Sequence, residues 1–109
     1  MSVHQIDSIE TLNTFIEECE KNNKLLVIKA EAVWCAPCQA VKPKYNEMAL
    51  KYSNAVFVTF DVDERQDVAE QLSISAMPTF IVAKGRDIIK RIEGADLKSI
   101  KNILDVQLN

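Results

Sequence analysis

Residues 25–38 decide the fold: Leu25-Leu26-Val27-Ile28-Lys29-Ala30-Glu31-Ala32-Val33-Trp34-Cys35-Ala36-Pro37-Cys38. The opening apolar run, Leu25 to Ile28, has the character of a buried strand. Beyond Cys38, the residues Ala40, Val41, Met48, Ala49 and Leu50 follow a helical pattern. The Cys-x-x-Cys pair therefore sits where a strand ends and a helix begins. The first turn of a helix carries unpaired backbone N–H groups and the positive end of the peptide dipoles. A thiolate on Cys35 is favoured there, and the thiolate is the reactive form of cysteine. Helical positions i and i+3 bring Cβ atoms to about 5–6 Å, so a small adjustment brings the two sulfurs within bonding distance. Pro37 suits a first turn, where its missing N–H costs little.

The chain has 109 residues, the size of one compact domain, and 1–109 is read as a single unit. Such a chain buries roughly two-thirds of its unfolded surface, enough for one core. Its 13 basic and 16 acidic residues leave a net charge of −3, which argues against nucleic-acid binding, since that needs a clustered basic face. No apolar run is long enough to span a bilayer, so no membrane association is expected. Met1 to Ile6 lacks a basic head followed by an apolar stretch, so no signal peptide is expected. Asp105 to Asn109 matches no retention or anchoring signal. The expected location is cytoplasmic. In a reducing compartment a Cys-x-x-Cys pair is catalytic or metal-binding more often than structural.

Along the chain, strands and helices alternate. Val3–Ile6 is a short strand, and Ser8 caps a helix over Ile9–Asn22 with Leu12, Phe15, Ile16 and Cys19 on one face. Leu25–Ala30 is the central strand. The helix after the motif runs to Lys51 and must bend or break at Pro43. Ala55–Phe60 is a strand, Asp61–Glu64 a turn, and Gln66–Leu72 a short helix. Thr79–Ala83 and Ile88–Ile92 are joined by a connection short enough only for an antiparallel hairpin. Asp96 caps a last helix carrying Leu97, Ile100, Ile103, Leu104 and Leu108. The order βαβαβαββα predicts an α/β fold, a mixed five-stranded sheet flanked by four helices.

In this order of elements the chain resembles the thioredoxin family over essentially its whole length. Trp34-Cys35-Ala36-Pro37-Cys38 matches the family's motif, Met77-Pro78-Thr79 its cis-proline turn, Gly94-Ala95 its glycine loop and Pro43 its kink proline. The resemblance implies the thioredoxin fold and a protein-disulfide reductase, an electron carrier with no cofactor beyond a redox-active Cys35–Cys38 disulfide. It implies that Cys35 is the exposed nucleophile, which forms a mixed disulfide with substrate, and that Cys38, one turn deeper, resolves it. It implies a shallow apolar substrate groove around Trp34, Ala36, Pro37, Met77, Pro78, Gly94 and Ala95. The implied partners are disulfide-containing protein substrates and a thioredoxin reductase, and the chain is expected to be a monomer. The same motif serves reductants and oxidants, separated by redox potential; cytoplasmic context and the resemblance favour a reductant.

Four positions depart from the family pattern. Lys29 stands where a buried aspartate is usual, Thr59 where a lysine is frequent, Glu31 where an aromatic is usual, and Ala36 where glycine is usual. Residues 29 and 31 of a strand share a face. Two readings follow. In one, Glu31 pairs with Lys29 and supplies the missing carboxylate near Cys38, tuning proton transfer. In the other, Lys29 snorkels to water and Glu31 is a surface charge, because both types are rarely fully buried. The extra methyl of Ala36 should change redox poise and partner fit only modestly.

Other residues have plainer readings. Cys19 is a buried, inert thiol. His4, the only histidine, has no evident partner and no expected catalytic role. Asp61, Asp63 and Glu64 lack the spacing and glycine of a calcium loop and read as a solvated turn. Cys19, Cys35, Cys38 and His4 make four zinc ligands on paper, but structural zinc sites use two tight pairs and one is present, so no metal is expected. The alternative function is a weakly catalytic or non-catalytic thioredoxin-like docking domain, of the kind found in multidomain iron–sulfur glutaredoxins. Loss of the Asp–Lys pair favours it; retention of both cysteines opposes it.

Overall fold

The computed structural model describes residues 3–108, so Met1, Ser2 and Asn109, the ends of the expected domain, lie outside the described residues. The elements run β1 (His4–Gln5), α1 (Ile9–Lys21), β2 (Leu25–Glu31), α2 (Ala36–Lys51), β3 (Ala55–Asp61), α3 (Gln66–Gln71), β4 (Thr79–Lys84), β5 (Asp87–Glu93) and α4 (Leu97–Gln107). They form one mixed sheet in the order β1-β3-β2-β4-β5. Strands β1, β3 and β2 are parallel; β4 runs antiparallel to β2, and β5 antiparallel to β4.

Strand β2 is central and covered on both faces, which is why its sequence reads as a near-continuous apolar run. Leu26, Ile28 and Ala30 pack with Leu12, Val58 and Phe60 in the core beside α1 and α3. Leu25 and Val27 face the other way and pack with Tyr45, Phe57, Phe80, Ile100 and Leu104, beneath α2 and α4. By the same alternation Lys29 points to the α2 side.

Local chemistry sets the element ends. The Ser8 side chain accepts the Thr11 N–H at 3.0 Å and Asp96 accepts that of Ser99 at 3.1 Å, two N-caps of the expected kind. Lys84 pairs with Asp87, leaving Gly85 and Arg86 as a two-residue hairpin loop. Gly85 takes φ +59°, where an L side chain is strained.

Some boundaries differ from the sequence reading. Strand β1 is two residues, although Ile6 N–H still donates to the Thr59 carbonyl at 2.9 Å. Strand β2 extends to Glu31 because Glu31 pairs with Asp61 of β3. Pro43 does not break α2, which is continuous from Ala36 to Lys51. The carbonyl it deprives of a donor belongs to Gln39, and both residues are exposed, which lessens the cost of the missing bond.

Candidate active site

The site is the C-terminal end of β2 and the first turn of α2. Cys35 is the N-cap of α2, with φ −87° and ψ 102°, and its Sγ accepts the Cys38 backbone N–H at 3.2 Å. Pro37 occupies the first turn. Cys35 and Cys38 are joined as a disulfide, with their Cα atoms 5.3 Å apart. The turn is tied twice to Ala32, the residue that follows β2: Cys35 N–H donates to the Ala32 carbonyl at 3.1 Å, and the Gln39 side-chain amide donates to the same oxygen at 3.2 Å.

Ala32, Cys35 and Cys38 form a small apolar cluster against which Val62 and Met77 pack. Cys38 is fully buried, deeper than Cys35. Cys35 is less open than expected, at 4% exposed. Its sulfur is bonded to Cys38, and Met77 and Val62 pack on the cluster. Val33 (81%) and Trp34 (67%) are the large apolar side chains exposed beside it, and Ala36 and Pro37 are exposed as well.

Of the expected rim, Met77, Pro78 and Gly94 come together beside the cysteine cluster. The Met77–Pro78 peptide is cis, and Gly94 N–H donates to the Pro78 carbonyl at 2.8 Å, linking the glycine loop to the proline turn. Gly94 has φ +103°, and a Cβ added there would meet nothing within 4 Å, so backbone conformation rather than space favours glycine. Ala95 is exposed at the start of α4.

Lys29 is 1% exposed and does not snorkel to water. Its Nζ donates to the Cys38 carbonyl at 3.0 Å, lies 2.7 Å from Glu31 Oε1, and stands 5.6 Å from the Tyr45 ring centre. Glu31 Oε1 is buried and takes no well-aligned hydrogen bond, so its contact with Lys29 is one of charge. A half-open cavity of about 280 Å³ adjoins the pair, lined also by Lys42, Tyr45 and Thr59. The Thr59 hydroxyl is spent on the Lys29 carbonyl at 3.0 Å. The Tyr45 hydroxyl lies 2.8 Å from the Val58 carbonyl and 3.1 Å from that of Val27. Burial, and secondarily the Glu31 charge, pushes this phenol well above the ordinary tyrosine range.

Asp63 lies in an exposed turn, as the sequence reading has it, and from there also reaches Trp34. Its Oδ2 accepts the Trp34 indole N–H at 2.8 Å. Asp61 shapes the turn by accepting the Asp63 and Glu64 backbone N–H groups at 2.8 and 3.1 Å. Twenty-nine residues separate Trp34 from Asp63, so no local spacing signals the pair. Cys19 lies apart, buried in the α1 core, and burial raises its thiol pKa. His4 does have a neighbour: its ring packs 5.5 Å from that of Phe15. Among the described residues no three His, Cys, Asp or Glu side chains gather in a metal-holding group.

The family model described as Thioredoxin matches residues 7–106. The chain belongs to the thioredoxin family. Thioredoxin H5 of Arabidopsis thaliana is 42% identical over 88 residues, 81% of this chain and 75% of that protein. Among solved structures, a thioredoxin from Nicotiana alata superposes with a TM-score of 0.87 at 33% identity, covering 94% of this chain and 90% of that one. A poplar wild-type thioredoxin h superposes with a TM-score of 0.93 at 27% identity, covering 100% and 98%. The chain is a thiol–disulfide oxidoreductase acting on disulfide substrates, and Cys35–Cys38 is its redox-active pair. The docking-domain alternative finds no support. No helix among the described residues is long and apolar enough to cross a membrane.

Proposed function

We propose that this thioredoxin reduces protein disulfides with Cys35 as the attacking nucleophile and Cys38 as the resolving thiol. The observation that carries the assignment is the Cys38 N–H aimed at Cys35 Sγ at 3.2 Å. That donor and the α2 N-terminus both stabilise a Cys35 thiolate once the pair is reduced. The thiolate attacks a substrate sulfur, and the other substrate sulfur leaves as a thiolate. Cys38, deprotonated, then attacks Cys35 Sγ, closes the intramolecular disulfide and releases the reduced substrate. Two electrons pass to the substrate, and a thioredoxin reductase restores the dithiol.

Trp34, Ala36, Pro37, Met77, Pro78, Gly94 and Ala95 form the substrate groove in this reading. Exposed Trp34 beside the buried sulfurs supports it, as does the hydrogen bond linking Gly94 to Pro78. Lys29 and Glu31 tune the proton leaving Cys38. Their contact at 2.7 Å and the Lys29 bond to the Cys38 carbonyl support that role. The chain is a single domain over 1–109, a cytoplasmic monomer serving electron transport and redox homeostasis.

Insulin disulfide reduction with excess dithiol tests the assignment. Wild type accelerates it, and Cys35→Ser abolishes the acceleration. Glu31→Gln lowers the rate about tenfold or more at neutral pH and recovers as pH rises toward the ordinary thiol range. A wild type with free thiols, an intact fold and no activity overturns the reading. A Glu31→Gln rate that matches wild type at every pH removes Lys29 and Glu31 from it.

A further inference from the structure

An open groove of about 640 Å³ runs between the second half of α2 and the first half of α4. Half-buried Met48 and Leu97 make its apolar floor, and Leu50, 68% exposed, stands at its edge, between the groove and the cavity beside Lys29 and Glu31. Leu50 sits next to Ala49, whose side chain enters the core, so Leu50 is the apolar residue of this helix end that the fold leaves uncovered. Its rim carries Lys44, Lys51, Lys98 and Lys101 against Glu47, with Asp105 bound to Lys101 at one side. The chain as a whole has a net charge of −3, so the groove is a basic patch on an acidic protein.

The four lysines are not alike. Lys101 is committed to Asp105 at 2.8 Å, and Asp105 also accepts the Tyr52 hydroxyl at 2.6 Å, closing one side of the groove. Lys51 lies over the Tyr52 ring, 5.8 Å from its centre. Lys44 and Lys98 have no ion-pair or hydrogen-bonded partner among the described residues. An apolar floor with two free ammonium groups at its rim complements a peptide segment of apolar side chains flanked by carboxylates. Methionine on the floor adds a side chain that adapts to varied apolar partners.

The position matters for the exchange reaction. Leu97 follows Gly94 and Ala95 of the rim by three and two residues. Lys44 lies nine residues beyond Cys35 on the same helix, roughly 14 Å along its axis. About four extended residues cover that span, and about six leave slack.

We propose that the α2–α4 groove is an exosite that recruits disulfide-bearing protein substrates through an acidic–apolar segment lying several residues from the disulfide. It acts on substrate capture and leaves the chemistry at Cys35 and Cys38 alone. The kinetic part of the proposal rests on the oxidoreductase activity; the binding part does not.

The test uses three disulfide peptides: one with no extension, one with an Asp/Glu–Leu extension placed six residues from the disulfide, and one with a Lys–Leu extension. The wild-type protein is expected to show a KM about five- to tenfold lower for the acidic–apolar peptide at low salt, with kcat unchanged. Lys44→Glu with Lys98→Glu removes that advantage and leaves turnover of the plain peptide as in wild type. Leu50→Gln removes it too, which separates apolar docking from charge alone. In parallel, a fluorescent acidic–apolar peptide without a disulfide binds wild type and fails to bind either variant. If that binding occurs and no disulfide peptide is reduced, the activity reading fails and the exosite stands. Equal KM values for the three peptides, with no binding of the fluorescent one, overturn the exosite. So does self-association in sedimentation that Leu50→Gln abolishes in the absence of peptide binding, since a second copy would then occupy the groove.

Discussion

Lys29 Nζ and Glu31 Oε1 lie 2.7 Å apart, with the lysine 1% exposed and the glutamate side chain 15% exposed. Two residues of one strand face thereby form a charge pair beside Cys38, and the ammonium is further held by the Cys38 carbonyl at 3.0 Å. Removing one partner of a buried pair leaves the other charge uncompensated. Glu31→Gln is therefore expected to lower unfolding free energy by about 3 kcal/mol. Adding Lys29→Met to that variant should recover most of the loss, because an apolar chain of similar length suits the site beside Tyr45. Urea denaturation of the single and double variants checks this; a double variant less stable than Glu31→Gln alone would contradict it.

Tyr45 is completely buried, with its hydroxyl between two main-chain carbonyls. Tyr45→Phe removes the one O–H proton that these carbonyls share and should cost about 1–3 kcal/mol at neutral pH. The pH dependence has a definite sign. The folded phenol titrates above its ordinary value of 10.0, so the unfolded chain loses the proton first. The stabilisation is present in full below about pH 10 and falls as pH rises through the folded value. Tyr45→Phe should flatten this alkaline limb in a stability-against-pH series.

Asp105 shows the opposite sign. Lys101 and then Tyr52, through their hydrogen bonds, lower its carboxyl below the ordinary value of 3.8. Its contribution is present above that value and is lost as pH falls through the lower folded value. Asp105→Asn should flatten the acid limb below about pH 4, and thermal unfolding across pH 2–6 would detect it.

Asp63 holds the Trp34 indole by a hydrogen bond on the exposed side of the site. Asp63→Ala should change stability by less than about 1 kcal/mol, since the contact is exposed. It should raise KM for protein disulfides about two- to fivefold with kcat little changed, because Trp34 is freed to leave its position beside the disulfide. Asp63→Asn, which keeps an acceptor, should restore most of the difference. Equal KM values for wild type and Asp63→Ala would remove Asp63 from substrate handling.

Much of the architecture is legible in the sequence because each element carries a local signal. Leu25 to Ile28 mark a strand covered on both faces, Ser8 and Asp96 mark caps, and the short Lys84–Asp87 connection admits only a hairpin. The Cys-x-x-Cys turn is legible because strand end, proline and thiol spacing coincide. The period of two places residues 29 and 31 on one face, but burial preference alone does not choose between a snorkelling lysine and a buried pair. Tertiary packing chooses: β2 is central in the sheet, and Cys38 and Tyr45 of α2 cover the face that carries Lys29. The Asp63–Trp34 contact is illegible because it joins two loops far apart in sequence. Pro43 signals a bend or a break alike, and the sequence does not choose between them; the helix runs on without a break.

Trapping the mixed disulfide tests the central assignment most directly. Reduced Cys38→Ser is mixed with a disulfide-bearing protein, and the adduct is digested and mapped by mass spectrometry. Attack by Cys35 predicts a stable adduct through that residue and its absence when Cys35→Ser is used instead. An adduct that forms through Cys38 in Cys35→Ser, with none through Cys35 in the folded Cys38→Ser protein, would contradict it.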